Sequence, residues 1–527
     1  MAVKRYAASK DNTITNAYNS TLLNSQRGTG SNMGAADVLE IFSIYGQASS
    51  SNGLSAELSR AILEFPIDSI TADRAAGTIP ASGSVSFYLN LYNTKHAFTL
   101  PRNFNLVIQP ISTPNSPASA SWEEGPGLDM EEYKDKTYNN SGSNWIQARM
   151  SSANGLDNGK WATPGGDYYQ STAYHQYNVS FPQGYEDLEV DISGLVEDWI
   201  AGTISNRGIG VRLTASQEAL FNPSSEQNTG SQNSLLYNPT GSTESYYTKK
   251  FYARSSEFFF KRPRIEARWD STTQDDRGHF LISSSLGGDF NINTLYLYNY
   301  IRGKLTNIPG AGTGPIWVSV YSGSSTPTGS KLLLPAGGDV VSATDTEVTG
   351  GWVKTGIYSA SFMITGNLTQ AFDVWHLSGT VFTTSSFAPL PINVYNNAPT
   401  REFATSISNM KSEYKRSETG RFRLFIRNKD WSPTIYTVSQ ANNPTETLTS
   451  ASYQIYRVID DLAVIPYGTG SDKQTYLSYD VSGNYFDLEM SMLEPGYAYG
   501  VTVAYYNDSI ADWVQQPEVF KFRVEKD

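Results

Sequence analysis

The sequence predicts an all-β protein built from three tandem β-sandwich domains. Short apolar or alternating segments recur along the chain, clusters of Gly, Pro and Ser separate them, and one stretch stands out for its helical periodicity. Tyr (34) and Gly (43) are abundant and only 17% of residues are charged, which suits sandwiches with long polar loops. A chain of 527 residues is also too long for a single core.

The boundaries follow changes in composition. A polar segment that ends in Gly, Asp270 to Gly278, closes a first domain at 1–272. A Pro- and Asn-rich segment, Pro389 to Pro399, separates a second sandwich at 279–396 from a third at 400–527. The strands between these boundaries are short and regularly spaced, as in sandwiches.

One short amphipathic helix is predicted near 192–201. Its apolar positions, Trp199 among them, follow the i, i+3, i+4, i+7 spacing that places side chains on one helix face. Asp191 or Ser193 can cap its start, and Gly202 can end it in a left-handed conformation. We expect Trp199 to have a structural role in packing this helix onto a sheet.

A long polar segment, Ser112 to Tyr185, carries isolated aromatic residues and is predicted to be a packed Ω-like loop. These aromatics could stack on sugar rings, or they could fill a loop core or a subunit interface. They are Trp122, Trp145, Trp161, Tyr168 and Tyr169.

The same segment contains an acidic run, and carboxylates on a loop can ligate Ca²⁺. The spacing does not match an EF-hand, so a solvated acidic loop is the alternative; no other cofactor is indicated. The residues are Glu123, Glu124, Asp129, Glu131 and Glu132. Common hydrolase, nucleotide and zinc signatures are missing, and we predict no catalytic residue.

Charge and targeting signals limit the partners. The formal net charge of -12 argues against binding to nucleic acid, because such proteins need basic patches. The chain has no Cys, no apolar signal segment at its start and no run long enough to span a membrane. We therefore expect synthesis in a host cytoplasm and release by lysis.

Five segments of the first domain resemble the DNRLRE domain, an all-β family of surface and repeat proteins. They occur in the expected order as Lys10–Ile14, Leu58–Phe65, Trp161–Asp167, the predicted helix Asp191–Gly202 with the strand Asn206–Leu213 that follows it, and Lys261–Ile265. The resemblance implies a jelly-roll-like sandwich used for structure or adhesion, and it implies no chemistry.

The third domain contains Leu493-Glu-Pro-Gly-Tyr-Ala-Tyr499, which resembles the turn before strand F of fibronectin type III and Ig-like sandwiches. In that family a tyrosine hydroxyl bonds back to the backbone as a corner brace. The resemblance implies this role for Tyr499 or Tyr497.

The whole chain resembles virion structural proteins of tailed bacteriophages, particularly marine ones. The segments that carry the resemblance are Tyr6–Ile14, Met33–Leu39, Lys261–Trp269 and Ser482–Leu488. It implies a non-enzymatic virion protein of the tail, neck, baseplate or capsid surface that contacts copies of itself and other virion proteins. The alternative is a glycan-binding adhesin or receptor-binding fibre that uses the Trp-rich loop, with Ca²⁺ as a possible aid; a polysaccharide depolymerase is a third, weaker alternative.

Overall fold

A computed structural model describes most of the chain and divides it into two compact units, Val3–Trp269 and Asp270–Asp527, the latter together with Ala2. The described residues are 2–19, 27–50, 53–95, 101–112, 121–135, 137, 142–149, 159–169, 175–222, 236–283, 292–334, 345–391, 402–429 and 445–527. The predicted end of the second domain at 396 and start of the third at 400 lie outside these residues.

The first unit is a two-sheet antiparallel sandwich. Its strands are β1 (Val3–Ala7), β2 (Lys10–Thr15), β3 (Val38–Ser50), β4 (Gly53–Glu64), β5 (Ser86–Leu91), β6 (Phe104–Pro110), β7 (Tyr177–Phe181), β8 (Leu188–Asp191), β9 (Ile209–Leu213), β10 (Tyr246–Tyr252) and β11 (Arg264–Arg268). One sheet has the order β1-β11-β5-β8. The other has the order β10-β3-β4-β9-β6-β7, and β2 also pairs with β4.

Two helices accompany this sandwich, α1 (Ile67–Ala75) and α2 (Ser193–Ala201). The predicted helix is α2, and it ends at Gly202 with φ 75° as expected. Its N-cap is Ile192, which has no side-chain capping bond, and not the predicted Asp191 or Ser193; Asp191 instead accepts a hydrogen bond from the Ser193 backbone N–H at 2.8 Å. α1 is a second helix beside the predicted one. α1 buries only Ile67 and Ile70, so its sequence shows little amphipathic periodicity.

The second unit begins with a six-stranded sheet that curves into a half-barrel. Its strands are β12 (Asn293–Tyr298), β15 (Ile316–Ser322), β16 (Glu347–Lys354), β17 (Ile357–Phe362), β18 (Ala371–Leu377) and β19 (Thr380–Phe387), and a hairpin of β13 (Tyr300–Ile301) and β14 (Lys304–Leu305) lies apart from it. The order is β12-β17-β16-β15-β18-β19. β16 pairs with β15 up to Gly350 and with β17 from Gly351 onward, so both halves of the sheet line one core.

The remainder of the second unit is a sandwich with Ig-like connectivity. Its strands are β20 (Phe403–Ile407), β21 (Glu413–Lys415), β22 (Thr419–Asn428), β23 (Ala451–Arg457), β24 (Leu462–Ile465), β25 (Ser478–Asp480), β26 (Gly483–Glu489), β27 (Ala498–Asn507), β28 (Asp512–Gln515) and β29 (Phe520–Glu525). The sheets have the orders β20-β22-β26-β25 and β21-β29-β27-β23-β24, with β28 on β27. β21 runs parallel to β29, whereas the neighbouring pairs are antiparallel.

These sheets confirm the predicted all-β, multi-sandwich fold. Throughout the described ranges, no helix combines the length and the apolar character that crossing a lipid bilayer requires.

Candidate functional site

The described part of the long loop of the first unit forms an aromatic layer against one face of the seven-stranded sheet. The side chains of Trp122, Trp145 and Trp161 are 1%, 0% and 4% exposed. They pack in one cluster with apolar residues of β2, β4 and the segment after β9. These residues are Ile14, Ala56, Leu58, Ile62, Ala219 and Phe221.

Hydrogen bonds hold two of these indoles in place. Nε1 of Trp122 donates to the carbonyl oxygen of Arg207 at 2.9 Å, and Nε1 of Trp161 donates to that of Asn144 at 2.9 Å. A ring that is buried and bonded in this way cannot present its face to a sugar. Of the two alternatives left open by the sequence, burial of these three tryptophans favours filling the core of the loop over stacking on sugar rings.

The two tyrosines of the loop are also held by internal contacts. Tyr168 is buried and its hydroxyl donates to the carbonyl oxygen of Gly165 at 2.8 Å. Tyr169 is half-buried, and its backbone N–H donates to the carbonyl oxygen of Pro110 at 3.1 Å. These contacts continue the aromatic layer to the end of β6.

A buried ion pair lies within this layer. Arg60 on β4 binds the Glu218 carboxylate through Nε at 2.9 Å and Nη2 at 2.7 Å, and both side chains are less than a tenth exposed. The guanidinium also lies over the Trp145 and Tyr168 rings, with centroids 5.4 and 5.7 Å away. Sequence reasoning missed this pair because its members are 158 residues apart.

The acidic residues of the loop serve separate partners. Glu124 forms a bidentate pair with Arg254, with bonds of 2.9 and 2.7 Å. Asp129 accepts the backbone N–H groups of Glu131 and Glu132 at 3.0 and 2.9 Å, as in a local turn.

Glu123 accepts the N–H of Gly142 at 3.1 Å, and Glu132 pairs with Lys134. The structure therefore does not bring the predicted Ca²⁺ ligands together. Among the residues it describes, no three carboxylate or imidazole groups are arranged to hold a metal ion.

The structure places three residues for which structural roles were predicted. Trp199 is buried on α2. Tyr499 is fully buried at the start of β27, and its hydroxyl donates to the carbonyl oxygen of Glu494 at 2.7 Å. Tyr497 instead stacks under the guanidinium of Arg457, with 4.9 Å between the guanidinium carbon and the ring centroid.

A cleft of about 470 Å³ lies within the second unit, between the half-barrel and the Ig-like sandwich. Such a volume is in the range of small-ligand sites. Tyr298, Ile357 and Lys354 lie side by side on β12, β17 and β16 along one wall. The opposite wall includes Arg423 on β22 and Tyr485 on β26.

Most charges in this cleft are already paired. Arg421 binds Asp487 at 2.7 and 2.9 Å, and Arg423 binds Asp480 at 2.9 and 2.7 Å. Both guanidiniums lie over the Tyr485 ring, 4.5 and 5.2 Å from its centroid. Such bidentate pairs leave these two arginines little net charge for a ligand.

Two polar groups of the cleft have no such partner in the described part of the chain. The ammonium of Lys354 makes no ion pair there, and desolvation by the cleft walls lowers its pKa. The hydroxyl of Tyr298 is shielded and makes no hydrogen bond, and burial raises its pKa. Unmade hydrogen bonds of this kind are costly in a protein interior.

No known protein-family model matches the chain, and no curated protein does. It is similar in part to the adhesin InvE of Yersinia pseudotuberculosis, at 10% identity and a TM-score of 0.15 over 44% of this chain and 54% of that chain. It thus spans about half of the adhesin chain. The N-terminal Ig1-2 module of the Drosophila receptor protein tyrosine phosphatase DLAR is similar at 10% identity and a TM-score of 0.14, over 44% of this chain and 90% of that chain. At these TM-scores neither similarity bears on what the chain binds.

Proposed function

We propose that the chain is a non-enzymatic structural protein of a tailed-bacteriophage virion that acts through protein–protein interfaces. The observation that carries the proposal is where the apolar surface remains exposed. The tryptophans of the loop in the first unit are buried in the core of that loop, whereas strands β16 and β19 of the half-barrel expose large apolar side chains to solvent. These side chains are Trp352, Val353, Val381 and Phe382, all between 37% and 56% exposed.

Strand β19 ends the six-stranded sheet, so one of its edges is unpaired within the sheet. An exposed strand edge with apolar side chains is a template for pairing with another chain. The resemblance to virion proteins supplies the setting, in which such an edge would be covered by another copy or by a neighbouring virion protein.

Light scattering of the purified chain tests the self-assembly part of this proposal. We expect a mass well above the 58.0 kDa of one chain, and a Val381→Ser, Phe382→Ser double variant should return the mass toward one chain. Ile510→Ser is the matched control, because Ile510 is equally exposed, at 58%, on the turn after β27. A wild-type mass of one chain would rule out self-assembly in isolation.

The virion setting needs a separate test on purified particles. Quantitative mass spectrometry should find the chain at a fixed copy number relative to the major capsid protein. Its absence from the particles would contradict the virion assignment without affecting the light-scattering result.

A second candidate function, a glycan-binding adhesin, is favoured by the cleft of the second unit and not by the tryptophan loop. The cleft offers the ammonium of Lys354, which makes no ion pair with any described residue, and an exposed aromatic ring on Tyr300 at its edge. We expect any glycan signal on an array to fall with Lys354→Met and Tyr300→Ala and to survive EDTA. A signal that is lost with EDTA would contradict this cleft as the site, and an array with no signal would leave only the structural role.

A further inference from the structure

Lys249, on strand β10 of the first unit, is a fully buried lysine whose ammonium contacts a side-chain amide. Only 2% of the residue is exposed, which is rare for lysine. Its Nζ donates hydrogen bonds to the side-chain oxygen Oδ1 of Asn93 at 2.7 Å and to the carbonyl oxygens of Gly184 at 3.0 Å and Glu186 at 2.6 Å.

The surroundings of this amine are aromatic. The rings of Phe181 and Phe251 lie 4.6 and 5.1 Å from Nζ. Burial lowers the pKa of Lys249 to about 8, even though the charges of Glu186 and Asp187 oppose this shift. About one tenth of the amine is therefore unprotonated at pH 7, and an unprotonated amine is a nucleophile.

The partner amide is held in place. The backbone of Asn93 bridges to Phe251, two residues beyond Lys249 on the same strand, and its N–H donates to Oδ1 of Asp187 at 2.7 Å. The carbonyl carbon of the Asn93 side chain is one C=O bond from Oδ1. Nζ is therefore no more than about 4 Å from that carbon, close to the separation of a near-attack geometry.

The charge of the Glu186 carboxylate acts on this amine. Glu186 accepts the N–H of Gln183 through Oε1 at 2.6 Å, while Oε2 is shielded and accepts no hydrogen bond from the described residues. Although burial opposes it, backbone N–H donors and the charge of Lys249 lower the pKa of Glu186. This carboxylate is thus ionised and available as a general base.

We propose that Lys249 and Asn93 become joined by an intramolecular isopeptide bond. In the fraction of molecules in which the Lys249 amine is unprotonated, Nζ attacks the side-chain carbonyl carbon of Asn93. Nζ then passes one of its two protons to Nδ2 by way of the Glu186 carboxylate, the bond from that carbon to Nδ2 breaks, and Nδ2 leaves as ammonia. One C–N bond forms and one breaks, so the exchange needs no oxidant, reductant or cofactor.

The bond would tie the two sheets of the first unit together. Asn93 follows β5 of the four-stranded sheet, and Lys249 lies on β10 at the edge of the other sheet. The two residues are 156 positions apart, so the link closes a long loop, which restricts the unfolded chain as a disulfide does. The chain has no Cys with which to make a disulfide.

Intact-mass spectrometry of the denatured full-length chain tests the proposal. We expect a mass below that of the sequence by about 17 Da, the mass of one ammonia molecule. A tryptic digest should contain a branched peptide in which Lys249 is joined to Asn93. A mass equal to that of the sequence would overturn the proposal whether or not any variant folds.

Two lysine variants separate this bond from other losses of ammonia. Lys249→Met should restore the full mass expected for its sequence, whereas Lys250→Met should keep the deficit, because the neighbouring Lys250 pairs with Glu40 instead. A deficit that persists in Lys249→Met would indicate cyclisation elsewhere and would also overturn the proposal. Glu186→Gln should yield a mixture of linked and unlinked chains; complete linkage would remove the role of Glu186 as the base.

Discussion

The Tyr499 hydroxyl bonds to the Glu494 carbonyl oxygen, five residues earlier, across the turn that leads into β27. The Tyr499 side chain is fully buried, so the bond is shielded from water. It connects the turn to the strand that pairs with β23, β28 and β29, and so fixes where this central strand begins.

Replacing this hydroxyl should destabilise the second unit. We expect Tyr499→Phe to lower the free energy of unfolding by about 1 to 2 kcal/mol, because the Glu494 carbonyl loses its buried donor. Urea unfolding followed by near-ultraviolet circular dichroism measures the change. Tyr497→Phe is the control, since its ring would still lie beneath Arg457. Equal losses in both variants would contradict the assignment of the corner to Tyr499.

Breaking the buried ion pair of the aromatic layer should have a larger effect. Glu218→Gln leaves the Arg60 guanidinium buried without its countercharge, at an expected cost of about 3 to 5 kcal/mol in the free energy of unfolding. Glu402→Gln provides the comparison, because its pair with Lys429 is well exposed and should change stability little. A shift in the urea midpoint that is as small for Glu218→Gln as for Glu402→Gln would show that the layer does not depend on this pair.

Truncating a tryptophan of the loop should act on stability and not on ligand binding. Trp161→Ala should cost about 3 to 5 kcal/mol, as expected for emptying a buried aromatic site. Trp352→Ala is the matched surface change: its ring is 37% exposed, so it should affect the solution mass more than the melting temperature. The core assignment fails if Trp161→Ala melts like the wild type.

The stability of the first unit should depend on Glu266 in acid. Burial opposes ionisation, yet Arg5, Arg264 and Arg268 hold the pKa of this carboxyl at about 2, below its usual 4.5. Because the folded pKa is the lower one, the contribution of Glu266 to stability is complete above pH 4.5 and is lost as the pH falls toward 2. Glu266→Gln should therefore differ most from the wild type at neutral pH and least near pH 2.

Asp11 provides a control of opposite sign. Burial raises its pKa from 3.8 to about 7, although the N–H of Arg254 opposes the shift. The folded state favours the protonated carboxyl, so its stabilising contribution is present below pH 3.8 and is lost as the pH rises through 7. Asp11→Asn should remove this loss. Urea midpoints measured between pH 2 and 8 check both variants. If the difference in midpoint between wild type and variant changed with pH in the same direction for both, this account would be contradicted.

The helix and the corner illustrate what could be predicted from local sequence. The signals for α2, its apolar periodicity and the C-cap at Gly202, lie within or next to the helix itself. The turn from Glu494 to Tyr499 likewise lies within six residues. The burial of the tryptophans could not be predicted in the same way. Trp122 and Trp161 lie in a polar segment, and their partners on β2 and β4 are far away in the chain.

By itself, the sequence determined the all-β class, the position of α2 and the corner motif, because period, caps and turns are properties of neighbouring residues. Only the tertiary structure decided which polar and aromatic groups meet. In the tertiary structure the tryptophans that the sequence left open as ligand contacts are buried. The acidic residues of the loop bind different partners and do not form a metal site among the described residues. Lys249 contacts Asn93, which is 156 residues away in the chain. Contacts of this kind depend on how the two sheets of a sandwich are paired, and strand pairing between distant segments leaves little trace in local patterning.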